Sequence, residues 1–373
     1  MPVPLSQPPV APHALDRVRA AVESGRLGGG GHFTRLCEDW LQARLGCQRA
    51  LLTGSASQAL HMAALLLELR PGDEVIMPSW TFPSTANAVL LVGAQPVFAD
   101  VDPETLNLDP DAVAAKISSR TRAICVVHYA GVAADMDALL SLARHHGLAI
   151  IEDAAQGLLA NHREVPLGTL GDIGVLSFHS TKNVGAGEAG ALLINRPDLV
   201  PRAECLREKG TDRMDFERKA VAHYQWCAPS PGGGPSELVS AFLSAQLDYA
   251  QQWHDARLAA WNSYHQLLTG THDGYRLMTV PPYAAHNAHQ FAIRTSDSRA
   301  RSRLQQTLSA AGITAAPHYV PLHQSPLGRQ YHDGQALPCT ERAAASLLRL
   351  PLWPDMPEDV IRKVCALVSV RED

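Results

Sequence analysis

Between Leu51 and Ile194 short apolar runs alternate with longer amphipathic stretches. The runs Glu74–Met77, Pro96–Asp100, Ala123–His128, Leu148–Asp153, Ile173–Phe178 and Gly190–Asn195 read as strands. Several are apolar without alternation, as strands buried on both faces are. Between them SQALHMAALLLEL, PSTANAVLLVG, DPDAVAAKI and DMDALLSLARHHG carry helical spacing. Strands alternating with helices predict an α/β fold, a mostly parallel sheet flanked by helices. In such sheets ligands collect at the carboxyl ends of the strands.

The stretch CAPSPGGGP, Cys227 to Pro235, interrupts the pattern and reads as a loop. One long helical pattern follows from Ser236 to about Leu268. We therefore expect a large domain over residues 1–250 and a smaller one over 251–373. The latter starts with a bridging helix and continues as a C-terminal α/β unit from about Gly270.

Composition narrows the class. With 373 residues, 46% of them apolar, the chain can bury a sizeable core. A net charge of -5 without like-charge blocks argues against a nucleic-acid partner. No apolar run reaches membrane-spanning length, and the N-terminus lacks the basic start and apolar core of a secretory signal. Seven scattered cysteines without a CxxC pair argue against a disulfide framework or zinc site and suit reduced thiols in the cytoplasm. The histidines are dispersed, with no metal-ligand spacing.

The chemistry lies in two neighbouring strings, IIEDAAQG and VLSFHSTKN. Asp153 ends one expected strand, and Lys182 follows the next. A strand-end carboxylate can pair with a protonated pyridine nitrogen, and a partly buried lysine can carry pyridoxal 5′-phosphate (PLP) as a Schiff base. Gln156 is placed to bond the ring oxygen or a flanking side chain. Ser55, Ala56 and Ser57 fall at the expected start of an apolar helix, a natural anion site for a cofactor phosphate. Ser177 and His179 are candidates for further phosphate contacts. Phe82 or Trp80, at a strand-to-helix junction, could stack on the ring. Each feature alone has an ordinary explanation: Asp153 and the serines as helix caps, Lys182 as a solvated lysine, the aromatics as core. GRLGGGGHFT lacks the Lys-Ser/Thr ending of a P-loop and reads as a flexible entry to a helix beginning near Thr34.

Taken together, PGDEVIMPSWTFPSTANAV, VFADVDPETLNLD, VVHYAGVAADMDAL, IIEDAAQG, GDIGVLSFHSTKN, LREKGTDR, HYVPLHQSPLG and RLPLWPDM resemble the DegT/DnrJ/EryC1/StrS family of sugar-nucleotide aminotransferases. The resemblance covers nearly the whole chain and implies the fold-type I PLP aminotransferase fold. It implies Lys182 as the Schiff-base lysine and Asp153 at the ring nitrogen. It places Gln156, Ser57 and Ser177 in the cofactor pocket, Phe82 on the ring face, and His318, Tyr319 and His323 near the substrate. It further implies a cytoplasmic homodimer with interface active sites and L-glutamate as amino donor.

Within the family the chain is most similar to transaminases forming dTDP-4-amino-4,6-dideoxygalactose, so the implied acceptor is dTDP-4-dehydro-6-deoxy-D-glucose. Amination at C3, a UDP-linked keto sugar, a PLP-dependent sugar dehydratase and a non-catalytic PLP-binding regulator are the alternatives. The dehydratases carry histidine in place of the lysine, which Lys182 argues against. The chain departs from the family at GEAG (Gly187–Gly190), usually GEGG, and at Gly232–Gly234. There the family places an Asn-Tyr-Arg-Met-like segment whose polar residue reaches the neighbouring subunit's cofactor phosphate.

Overall fold

The computed structural model describes residues 2–270 and 274–369; the last positions of the expected C-terminal domain, 370–373, lie outside the described residues. Strands β1 (Arg49–Thr53), β2 (Glu74–Pro78), β3 (Gln95–Ala99), β4 (Thr121–Val127) and β5 (Ala149–Asp153) come first. After the two-residue strands β6 (Asn161–His162) and β7 (Val165–Pro166) come β8 (Ile173–Ser177) and β9 (Gly190–Ile194). Seven of these form one sheet in the order β1-β9-β8-β5-β4-β2-β3. Its pairs are parallel except those of β9, which runs against both β1 and β8. The six expected strands are therefore present within two residues of their bounds, and the sheet is mostly parallel.

Burial on both faces explains the unbroken apolar runs. Along β1, Leu51 faces a core built with the helix Ala56–Leu66, whereas Ala50 and Leu52 face one built with the helices His32–Leu45 and Glu237–Asp248. Strand β1 was not singled out by the pattern, because its five residues merge with the helix that follows. Ile76, Ile124, Val126 and Ile150 pack against the helix Met136–His146.

The remaining strands are β10 (Tyr275–Leu277), β11 (Ala284–Ala285), β12 (Phe291–Thr295) and β13 (Leu347–Leu350). The order β10-β12-β13 forms a small antiparallel sheet packed by the helices Ala250–Leu268, Ser298–Ala310 and Glu358–Val368. The start of the chain joins this unit: Val3 bridges Ile313, and the Leu352 N–H donates to the Leu5 carbonyl at 3.1 Å.

The single helix expected over 236–268 is two, Glu237–Asp248 and Ala250–Leu268. The backbone leaves the helical region at Tyr249 (φ -100, ψ 0), whose ring stacks on Trp253. Side-chain periodicity continues across this break, so the sequence gives no sign of it. The glycine-rich entry also ends firmly. Gly31 has no side chain to cap the helix His32–Leu45, and the buried Glu237 carboxylate does so from across the fold. It accepts from the Gly31, Phe33 and Thr34 amides and from the Thr34 hydroxyl.

Candidate active site

Strands β5 and β8 are parallel neighbours, so their carboxyl ends lie side by side. Successive side chains of β5 face opposite ways, and this separates its two acids. Glu152 is fully buried and used up: His128 lies 2.9 Å from it, and the Gly168, Leu170 and Gly171 amides donate to it. Asp153, also buried, accepts from the Thr85 hydroxyl at 2.8 Å and the Ala155 amide at 3.2 Å. That leaves carboxylate lone pairs free.

Beyond β8 the chain turns through Phe178 and His179 to Lys182, whose N–H donates to the His179 carbonyl at 2.9 Å. Lys182 is half-buried. Removal from water lowers its ammonium from 10.5 to about 8; Asp153 pulls it back up and Arg349 pushes it further down. An amine so poised keeps a far larger neutral fraction near physiological pH than an ordinary lysine does.

Gln156 bridges two parts of the site. Its Oε1 accepts from the Ala130 amide at 2.8 Å, and its Nε2 donates to the Tyr319 hydroxyl at 3.1 Å. Tyr319 stacks on His318 (3.6 Å between ring centroids), and His318 Nδ1 lies 3.2 Å from the Tyr129 hydroxyl. Burial, helped by Arg349 and Lys182, lowers His318 to about 2, so its ring is neutral. Burial raises the Tyr319 phenol, with Asp153 adding to the effect. Lys182, Asp153, Gln156, His318 and Tyr319 thus form one group.

His323 belongs to the scaffold beside it. The Ser79 hydroxyl lies 2.7 Å from its Nδ1, and Glu341 lies 3.4 Å from its Nε2, leaving no ring nitrogen free. Trp80 is fully buried, edge-on to Tyr129 and Tyr319. Phe82 is 59% exposed at the N-cap of the helix Pro83–Leu90.

Ser55, Ala56 and Ser57, expected to receive a phosphate, stand at the start of the helix Ala56–Leu66. Ser55 caps it, accepting from the Gln58 amide at 3.2 Å, and the Ser57 hydroxyl lies 2.6 Å from that of Ser84. Ser177 stands opposite Gly190 in the β8–β9 ladder. A Cβ on Gly190 would come within 2.4 Å of the Ala56 nitrogen, so only glycine lets β9 pass this close. Gly190, the ladder partner of Ser177, is thus packed against the Ser55–Ala56 backbone. The His179 ring turns aside, to the Thr181 hydroxyl at 2.9 Å and Glu188 at 3.4 Å. The loop Gly232–Gly234 lies against the start of the helix Ala56–Leu66: Gln58 donates to the Gly233 carbonyl at 3.0 Å and accepts from the Gly54 amide at 2.6 Å.

Sequence reasoning passed over two participants. Among the described residues the Arg349 Nε on β13 is buried without a partner, and its Nη2 donates to the Pro317 carbonyl at 3.3 Å. Burial lowers its guanidinium, with Tyr129 and Tyr319 opposing. A lone arginine inside the apolar run LLRL was the available signal. Thr85, a buried threonine in the first turn of its helix, carried none.

The model of the DegT/DnrJ/EryC1/StrS aminotransferase family matches residues 10–369. The aminotransferase TlmJ from Streptoalloteichus hindustanus is 30% identical over 99% of this chain and 98% of its own, with a TM-score of 0.91. DesV of S. venezuelae is 32% identical (97% and 95% covered, TM-score 0.89). DesI, solved in the presence of its TDP-sugar product, is 31% identical (99% and 92% covered, TM-score 0.86). The chain belongs to the DegT/DnrJ/EryC1/StrS aminotransferase family. It has the fold of these aminotransferases and is a PLP-dependent sugar aminotransferase.

Proposed function

We propose that the enzyme transfers an amino group from L-glutamate to C4 of a nucleotide-linked 4-keto-6-deoxyhexose. The acceptor we assign is dTDP-4-dehydro-6-deoxy-D-glucose, and the product is a 4-amino-4,6-dideoxy sugar nucleotide. The observation that carries the reading is a half-buried amine at about 8, Lys182, acting on a buried carboxylate, Asp153, at the adjoining ends of parallel strands. The nucleotide assignment draws support from DesI, a relative solved with a TDP-sugar product.

These residues fit the cofactor. In this reading Lys182 anchors it covalently, Asp153 meets its ring nitrogen, and Ser55, Ala56, Ser57 and Ser177 receive its phosphate, with His179 at the rim. Gln156 and Phe82 bound the ring. Bound PLP supplies an electron sink for the negative charge left when a carbon loses its proton. Once the donor's amine has displaced it from the cofactor, the free Lys182 Nζ, neutral in good part near pH 8, would take the proton from the donor's Cα as a general base. Asp153 keeps a proton on the ring nitrogen, which makes the sink effective. Arg349, a cation short of partners, receives a donor carboxylate. The neutral His318 and Tyr319 present a polar, uncharged wall to the sugar, and His323 holds their segment against Ser79.

We also assign the chain to a cytoplasmic homodimer. Exposed Val320 and Leu327 line an apolar groove with Leu90, Phe98, Leu322 and Tyr331, and exposed Phe82 adjoins Pro83 on its wall. A second subunit would cover this surface.

Mass spectrometry of products from dTDP- and UDP-linked 3- and 4-keto sugars with L-glutamate tests the reading. Amine gain by the dTDP-linked 4-keto-6-deoxyhexose is expected. Exclusive turnover of a 3-keto or UDP-linked sugar would overturn the assignment.

A further inference from the structure

We infer that Thr81 and Thr85 are positioning residues: a two-hydroxyl relay that fixes the plane of the Asp153 carboxylate for the cofactor's ring nitrogen. The inference rests on the role given above to Asp153.

The Thr85 Oγ1 lies 2.8 Å from Asp153 Oδ2, and the Thr81 and Thr85 hydroxyl oxygens lie 2.9 Å apart. All three side chains are buried, at 2%, 1% and 6% exposure for Thr81, Thr85 and Asp153. Proton counting fixes the direction. An ionised carboxylate only accepts, and a hydroxyl has one proton to give. Thr85 therefore spends its proton on Asp153, and its remaining contact must accept the proton of Thr81. The chain runs from Thr81 through Thr85 to Asp153, each bond polarising the next.

A threonine in a helix commonly satisfies its hydroxyl on the backbone carbonyl one turn back. Thr85 instead reaches a strand 68 residues further along the chain. The terminal torsion of an aspartate is soft, with a broad two-fold preference. The Ala155 amide on Oδ1 and the Thr85 hydroxyl on Oδ2 together hold that torsion, so the free lone pairs keep one direction.

The relay also ties the two ends of the site together. Thr85 sits in the first turn of the helix Pro83–Leu90, where its amide donates to the Phe82 carbonyl at 3.2 Å. Its neighbour Ser84 contacts Ser57 in the proposed phosphate site at 2.6 Å. One short helix thus registers the acid at the ring nitrogen against the phosphate end.

The test uses PLP-loaded enzyme and two variants of opposite character. Thr85→Val keeps the branched shape without the hydroxyl; Thr85→Ser keeps the hydroxyl without the methyl. The readouts are the pH midpoint of the visible cofactor band and kcat separated from KM. In Thr85→Val the midpoint moves to higher pH, because a less firmly held ring proton leaves less positive charge opposing protonation at the lysine linkage. With it kcat falls about tenfold or more, the loss expected for one hydrogen bond to a charged group, while both KM values stay within about twofold. Thr85→Ser restores both readouts, and Thr81→Val shifts the midpoint the same way by less. A wild-type midpoint and kcat in Thr85→Val, or Thr85→Ser behaving like Thr85→Val, overturns the relay alone. A wild-type enzyme whose band does not bleach with L-glutamate overturns the donor assigned above and leaves the relay to be judged on the Thr85 variants.

Discussion

Removing the Lys182 amine should stabilise the cofactor-free protein at neutral pH. Folding takes this ammonium from 10.5 to about 8, chiefly by burial and net of the attraction of Asp153. The difference of about 2.5 units corresponds to about 3 kcal/mol at ~1.4 kcal/mol per unit. The unfolded chain holds the proton more tightly, so the cost is present in full below pH 8, where both states are charged. It shrinks as pH rises from 8 to 10.5 and vanishes above, where both states are neutral. Lys182→Met keeps most of the side-chain volume and drops the charge. Urea unfolding of apo wild type and Lys182→Met at pH 6.5, 8 and 9.5 measures the effect. The variant should be more stable by about 3 kcal/mol at pH 6.5, with the gain falling to about 1.4 kcal/mol at pH 9.5. A gain independent of pH, or a loss at pH 6.5, would refute an ammonium penalised by removal from water at this position.

Three further outcomes follow from single contacts. Gly190→Ala forces a Cβ onto the Ser55–Ala56 backbone, so we expect about 1–3 kcal/mol of destabilisation in urea melts and faster PLP loss on dialysis. Glu237→Ala strips the helix His32–Leu45 of an acceptor serving three amides and a hydroxyl, and should cost about 2–4 kcal/mol with little change in kcat at low temperature. Arg349→Met should raise the KM for L-glutamate at least about tenfold while the sugar KM moves far less; equal effects on both would contradict its assignment to the donor.

Much of this was legible because strands buried on both faces announce themselves as unbroken apolar runs; Asp153 ends one such run and Lys182 follows five residues after another. The helix cap at Ser55 was equally readable, since capping needs only local chemistry. What escaped notice depends on distant partners. That Glu237 caps a helix some 200 residues earlier, or that Thr85 meets Asp153, follows from packing that no window of sequence contains. The same holds for His323: its string looks substrate-facing, yet Ser79 and Glu341 occupy both ring nitrogens. Neighbouring acids that look equivalent in IIEDAAQG prove opposite, Glu152 consumed by four partners and Asp153 left open.

The most direct test is to reduce the PLP-loaded enzyme with borohydride, digest it and map the phosphopyridoxyl mass. The account predicts the label on Lys182 and its loss when L-glutamate is added before reduction; a label on another lysine, or one indifferent to L-glutamate, would contradict it.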